Sequence, residues 1–375
     1  MTRLIVTIWL LAVSFNSLAH KPSDSYLTVR VDDRQITGQW DIALRDLDYA
    51  LGLDANDDGN ITWAELRNSR EVVYAYALSR LEMTRGKQVC SLQAADLLVD
   101  EHSDGHYVVL NFQAICPSVS APLSIAYRLF FDFDPQHRGL LSLIHQGLTE
   151  TAIFSPDRQQ IQFPFSAGHS AWRALTDFAY EGIWHIWIGF DHMLFLLSLL
   201  LPAALIWNNA EWQPKSGFKP VFFDVLGVVT AFTLAHSLTL SLTVLHYISL
   251  PSRWVESAIA ASVALAALNN IYPVLVKRRT WFAFCFGLIH GMGIASVLLD
   301  MGLPDTQRML SLLGFNLGVE AGQLAIVGAA LPLIVGFSRY RYYPVLVMKT
   351  GSVSIVTVAL VWLAERSLDF QMDIF

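Results

Sequence analysis

The sequence predicts a membrane all-α bundle of about six transmembrane helices, preceded by an exported, β-rich, sandwich-like domain that carries an EF-hand insertion. Three observations lead there. The 375-residue chain is 54% hydrophobic and only 15% charged, which is too apolar for two ordinary soluble domains. The apolar excess lies after Gly182, where long apolar runs alternate with short polar breaks. The first nineteen residues read as a secretory signal, with Thr2-Arg3 as the charged start, an apolar stretch from Leu4 to Phe15 and a small-x-small cleavage site at Ser17-Leu18-Ala19. The formal charge of -7 sits largely in the amino-terminal half. No basic patch or stripe accompanies it, which argues against a nucleic-acid partner.

Residues 20–165 form the expected exported domain. Alternating segments at Tyr26 to Val31, Ile36 to Ile42, Tyr107 to Phe112, Leu123 to Phe133 and Gln160 to Phe165 read as strands. Cys90 and Cys116 fall in this part, where an oxidising compartment permits a disulfide. The strands are interrupted at 54–65 by a complete EF-hand loop. Asp54, Asn56 and Asp58 supply oxygens at positions 1, 3 and 5, Gly59 the sharp turn, Asn60 a backbone carbonyl and Glu65 a bidentate carboxylate. Ca2+ is the expected ligand, held as a structural clip, since only one such loop is visible. Cleavage after Ala19 would leave the His20 imidazole beside a free α-amine, a pair of nitrogens able to chelate a transition metal. The plainer expectation is a residue that merely follows the cleavage site. His102 and His106, with Asp100, Glu101 and Asp104, are read as a charged, solvated loop.

After an interfacial linker at 166–182, about 20 apolar residues per span place helices near 183–201, 221–244, 254–276, 281–299, 309–336 and 344–364, within 183–364. An external tail follows at 365–375. Lys215 and Lys219, Lys277-Arg278-Arg279, and Arg339 with Arg341 fall in alternate loops. By the positive-inside rule these loops are cytoplasmic. That agrees with the signal, and it places the chain in a bacterial inner membrane with its amino-terminal domain in the periplasm and the lipid bilayer as its first partner.

Ionisable side chains inside spans cost roughly 2.5–3.5 kcal/mol each on insertion scales, so they usually face a protein interior or a water-filled path. Here His185, Asp191 and His192 fall on the first span, His236-Ser237 on the second, Glu256 and Asn269-Asn270 on the third, His290 on the fourth, and Asn316, Glu320 and Gln323 on the fifth. At about 1.5 Å per residue from the outer face, His192 and His290 lie about 14 Å down, His236 about 12 Å, Glu320 about 16 Å and Asn316 about 10 Å. These side chains could converge at one level, mid-membrane to outer leaflet, with His192, His236, His290 and Glu320 as candidate metal ligands and Ser237, Asn316 and Gln323 in support. His185, seven residues and about 10 Å above His192, suits a point of access. Glycines at 314, 318 and 322, and at 287 and 291, follow the small-xxx-small pattern of close helix contacts, which could bring His290 and Glu320 together. Imidazole and carboxylate donors suit divalent Ni2+, Co2+ or Zn2+ better than cuprous ion.

The run Gly182-Ile-Trp-His185-Ile-Trp-Ile-Gly189-Phe-Asp191-His192 resembles the signature of the HupE/UreJ family, the hydrogenase and urease accessory membrane proteins. So do Ala235-His236-Ser237, Phe286-Gly287-Leu-Ile-His290-Gly291-Met-Gly293 and Phe315-Asn316-Leu-Gly318-Val-Glu320-Ala-Gly-Gln323. The resemblance covers about residues 165–364. It implies nickel handling, with His185, Asp191, His192, His236 and His290 as ligands and metalloenzyme maturation or metal-delivery proteins as partners. The exported domain and its calcium loop are absent from the shorter family members, and Ile186 stands where those tend to carry proline. The leading expectation is thus a divalent-metal permease or metal-handling accessory protein. Two others stay open. One is an intramembrane metal-dependent hydrolase, with three histidines holding zinc, Asp191 or Glu320 as base and Ser237 orienting substrate. The other is a non-catalytic membrane module.

Overall fold

The computed structural model describes residues 23–102, 105–117, 121–146, 148–164, 170–209, 211–295 and 305–368. The expected signal peptide, His20 and the tail beyond 368 lie outside the described residues.

Strands β1 (Asp24–Asp32) and β2 (Gln35–Ala43) are followed by three short helices, α1 (Leu44–Leu51), α2 (Trp63–Asn68) and α3 (Arg70–Leu78). Eight further strands complete the domain: β3 (Leu81–Arg85), β4 (Gln88–Val89), β5 (Ser91–His102), β6 (Gly105–Ile115), β7 (Leu123–Tyr127), β8 (Arg138–His145), β9 (Leu148–Phe154) and β10 (Gln160–Phe163). They make a six-stranded sheet in the order β5-β6-β2-β1-β8-β9 and a four-stranded sheet in the order β10-β7-β3-β4. Alternation along each strand turns Leu27, Val29, Trp40 and Phe112 of the first sheet and Met83, Ile125, Tyr127 and Phe163 of the second into one shared core. The early and late strands of this domain are joined by β1, which pairs antiparallel with β2 and parallel with β8. Cys90 and Cys116 are joined by a disulfide.

His102 does not sit on a solvated loop. It ends β5 and is packed on Tyr26 and Tyr107, with Nε2 3.2 Å from Asp41 Oδ2; strand pairing with β6 carries it onto the sheet. Deeper in the domain one hydrogen-bonded line crosses the core. Trp40 Nε1 faces Ser25 Oγ at 3.3 Å, Ser25 Oγ faces the Tyr127 hydroxyl at 2.6 Å, and that hydroxyl lies 2.6 Å from His137 Nε2. His137 Nδ1 is 2.6 Å from Ser23 Oγ, which donates to Asp46 Oδ2 at 2.6 Å. Each group gives one proton toward the carboxylate, so the line is satisfied only with His137 neutral.

At 54–65 the oxygen side chains turn onto the loop's own backbone. Asp54 accepts from the N–H groups of Asp58 and Gly59, Asn56 from Asp58, and Asp58 from Asn60. Glu65 closes a capping box with Thr62 at the start of α2 and also takes the Ala55 N–H.

The carboxy-terminal half contains α4 (Ser170–Ile188), α5 (Phe190–Leu200), the hairpin β11 (Leu205–Asn208) with β12 (Glu211–Pro214), α6 (Phe218–Val244), α7 (Ser252–Ile271), α8 (Arg279–His290), α9 (Asp305–Phe337) and α10 (Thr350–Leu368). Among the described residues four segments, α6, α7, Arg308–Phe337 and Pro344–Leu368, are long and apolar enough to cross a membrane. A fifth is reached if α4 and α5 are taken as one broken span. This differs from six straight spans in three places. The segment 183–201 is broken at Gly189, where the axis turns by 68°. Most of the stretch expected as an interfacial linker, 170–182, is the first part of α4. The helix expected at 281–299 ends at His290 and gives way to a turn bracketed by Gly291 and Gly293.

The ends of the bundle are distinct. Asp224, near the start of α6, receives Lys215 at 3.3 Å and Arg279 at 3.5 Å, and Arg279 also donates to the Leu199 carbonyl. At its other end α6 places Leu240 and Val244 in an apolar cluster with Tyr26, Leu140 and Ile153 of the six-stranded sheet and Phe178 of α4. The loops expected to share a side through Lys215 and Arg279 therefore meet at the end of α6 remote from the β-rich domain.

Candidate metal centre

The break at Gly189 builds the site. A Cβ there would lie 2.5 Å from the His185 carbonyl and 3.2 Å from Asp191 Oδ1, so only glycine lets the chain turn this tightly. The turn bends α5 away from the axis of α4 by 68°, and His185 and His192 meet with ring centroids 4.6 Å apart. The separation of about 10 Å expected for one straight helix does not hold, and His185 joins the cluster instead of standing above it.

Helix contacts supply the other imidazoles. Gly287 of α8 and Gly291 just after it press on α6, where their Cβ atoms would meet Phe232, Ala235 and His236 at 2.2–2.9 Å. His290 thereby comes beside α6, with its ring 5.0 Å from that of His192; the ring of His236 is 6.2 Å from His192. Ligand atoms of His185, His192 and His236 lie within 4.8 Å of one another. His290 falls outside that triple but shares its walls: the Phe232 ring lies within 6.4 Å of those of His192, His236 and His290, Phe195 lies 5.1 Å from His290, and Phe315 lies 5.3 Å from His185.

Two neighbours fix which ring nitrogens carry lone pairs. Asp191 Oδ1 accepts from His192, both from its backbone N–H at 2.8 Å and from Nδ1 at 2.9 Å. His192 Nε2 is then the unprotonated nitrogen. Ser262 directs its single hydroxyl proton at the Ile259 carbonyl, 2.7 Å away, so at 2.8 Å it accepts from His290 Nε2, leaving the lone pair on His290 Nδ1. Both lone-pair atoms are buried without a hydrogen-bond partner. So are His185 Nε2, both ring nitrogens of His236 and Asn316 Oδ1. Buried polar atoms in native proteins are nearly always paired, and here an orphaned set converges in one place. Imidazoles whose far nitrogen is tied to a carboxylate or hydroxyl are the arrangement that divalent transition metals take.

Of the other expected residues, Glu320 and Ser237 line a crevice of about 160 Å³ between α6 and α9, with Thr230 and Thr233, and Asn316 borders both that crevice and His236. Gln323 is buried and accepts from Thr233 Oγ1 at 2.9 Å. Glycines 314, 318 and 322 pack on Leu175, Ala179 and Ile183 of α4. The two glycine stripes thus join α9 to α4 and α8 to α6, and do not bring His290 to Glu320. Asn270 ties Ser198 to Ser352, and Glu256 accepts from Ser252, both structural roles. Sequence reading missed Ser262 because a serine in an alanine-rich helix has no distinguishing pattern. Gly189 had a signal, being a lone glycine between two histidines in an apolar run.

Fold and site together define a multi-pass membrane protein with a buried histidine cluster beneath a β-rich domain. The chain belongs to the family described as HupE / UreJ protein, whose profile matches residues 161–366. No curated protein matches the chain.

Proposed function

We propose that the protein handles a divalent transition metal, nickel or its neighbour cobalt, at this cluster, as a permease or as a metal-handling accessory protein of the cytoplasmic membrane. The observation that carries the reading is the set of unpartnered lone-pair nitrogens on His192 and His290, each aimed by a fixed neighbour. His185 and His236 complete the donor set, and the ion is cargo that exchanges its water for imidazole nitrogens as it enters. Asp191 gives the site its charge. Glu320, Asn316 and Ser237 serve as a polar flank in the adjoining crevice. The β-rich domain faces the outside, where it gathers or delivers the ion. Its 54–65 loop takes calcium as a local clip, supported by the inward set of Asp54, Asn56, Asp58 and Glu65 oxygens.

The test is elemental analysis of the purified protein loaded with nickel and washed briefly with chelator, comparing wild type with His192→Ala and His290→Ala. Exchangeable nickel or cobalt lost in both variants supports the reading. Tightly held zinc that survives the wash and is lost in the same variants points instead to a hydrolase. Retention of metal in both variants overturns the site. Calcium lost on Glu65→Gln alone separates the loop from the cluster.

A further inference from the structure

The strongest feature outside the histidine cluster is the seam between the exported domain and α4. Asp177, Glu181 and His185 stand four residues apart on one face of that helix, about 6 Å of rise per step. His185 enters the metal cluster, whereas both carboxylates are taken by arginines of the β-rich domain. Arg158 Nη1 lies 2.7 Å from Asp177 Oδ1, and Arg138 Nε lies 3.5 Å from Glu181 Oε2. A cavity of about 300 Å³ lies beside these pairs, lined by Ile153, Ser155, Asp157, Arg158, Asp177 and Tyr180.

Arg138 is held in place by its own segment. Arg138 Nη1 is fixed by the carbonyls of Pro135, Gln136 and His137, and its backbone N–H donates to Ser23. His137 and Ser23 belong to the buried line that ends on Asp46. The opposite flank of α4 is pressed on α9, where a Cβ on Gly182 would lie 2.1 Å from the Phe315 carbonyl. The helix is therefore gripped on two sides just before His185, and Gly189 leaves it free to turn just after.

We infer that Arg138 and Arg158 are positioning residues for the metal centre: by holding Glu181 and Asp177 they set the rotation and height of α4, and with it the aim of His185. The exported domain thereby forms part of the ion site without touching the ion. This rests on the metal reading above. Releasing the pairs lets α4 rotate about the Gly189 break, which withdraws one imidazole from the set. Partners that orient a ligand in this way typically change metal affinity about 10–100-fold when removed.

The experiment is nickel titration of the full chain in detergent, in competition with a chromophoric chelator. The proteins are wild type, His192→Ala, Arg138→Gln, Arg158→Gln, Arg158→Lys, and the exchanged pair Arg158→Asp with Asp177→Arg. Nickel affinity should fall about tenfold or more in both glutamine variants. It should recover in Arg158→Lys and in the exchanged pair, with each protein eluting as one species at an unchanged melting temperature. Unaltered affinity in the glutamine variants, while His192→Ala abolishes binding, overturns the inference and leaves the metal reading standing. A loss that neither Arg158→Lys nor the exchanged pair restores overturns it as well. Wild-type protein with no His192-dependent binding removes the metal reading, and the inference falls with it.

Discussion

The carboxylate of Asp191 lies 2.9 Å from Nδ1 of the residue that follows it, His192. Adjacent residues rarely face each other in a helix. Here they do because the pair stands in the first turn after the Gly189 break, where Asp191 also caps the His192 backbone N–H. The carboxylate thus selects the tautomer in which Nε2 is free. Asp191→Asn offers a carbonyl or an amide to the same nitrogen and weakens that choice. We expect it to lower nickel affinity about 10–100-fold, and Ser262→Ala, which frees His290, to act in the same direction. Chelator competition at fixed pH measures both, and affinities equal to wild type would remove the two residues from the site.

Close packing of α4 on α9 gives a stability test with an internal control. A Cβ at Gly318 would lie 1.9 Å from the Ala179 carbonyl, whereas one at Gly328 of the same helix meets nothing within 4 Å. Gly318→Val should cost about 1–3 kcal/mol or more, as overpacking does. Gly328→Ala should be neutral or slightly stabilising, since alanine is the better helix former. Thermal unfolding in detergent compares them, and equal melting temperatures would contradict the packing.

His137 makes the β-rich domain acid-sensitive in a defined direction. Burial, reinforced by the neighbouring Arg138 charge, lowers its pKa to about 3, against about 6.5 for a free imidazole. Above about pH 6.5 the ring is neutral in both folded and unfolded chains and contributes no pH dependence. Below that the unfolded chain binds a proton that the folded one refuses. Stability from this group therefore falls as pH drops from about 6.5 towards 3, by at most about 1.4 kcal/mol per unit. In His137→Gln this component is removed, and denaturant unfolding between pH 7 and 4 should show a shallower decline. An identical slope would show that acid sensitivity comes from elsewhere.

The Cys90–Cys116 disulfide closes a loop that holds β5 and β6 together. Removing both sulfurs with Cys90→Ala and Cys116→Ala should destabilise the domain by about 2–4 kcal/mol. Reductant should lower the wild-type melting temperature and leave that of the double variant unmoved. If reductant moves both equally, the cross-link is not what it acts on.

The sequence made some of this legible and hid the rest for physical reasons. Period-two alternation marked β1, β2, β6 and β10, because each buries one face. The order of the strands was not readable: β1 and β8 are neighbours only through a parallel pairing that no local pattern records. Hydropathy found α6, α7, α9 and α10, but a window of about 20 residues averages across Gly189 and so reports α4 and α5 as one straight span. The same averaging separated His185 from His192. Depth counting did bring His192, His236 and His290 to one level, because each sits near the middle of its apolar run. It carried no information on rotation about the helix axes, and so it grouped Glu320 with them when that side chain faces the crevice. Tautomer control by Ser262 depends on a contact between α7 and α8, and one hydroxyl in an alanine-rich helix carries no trace of it.

The pairing of Asp24 with Arg138 also fixes when the molecule can be finished. The strand at the centre of the larger sheet is made first and lacks one neighbour until β8 has been synthesised. Pairings so distant in sequence close slowly, because the loop entropy is lost before the contact forms. Arg138 arrives in that same late strand, and α4 follows soon after it. The β-rich domain therefore cannot be completed before residue 138 is made, and the helix that its arginines hold is the next helix in the chain.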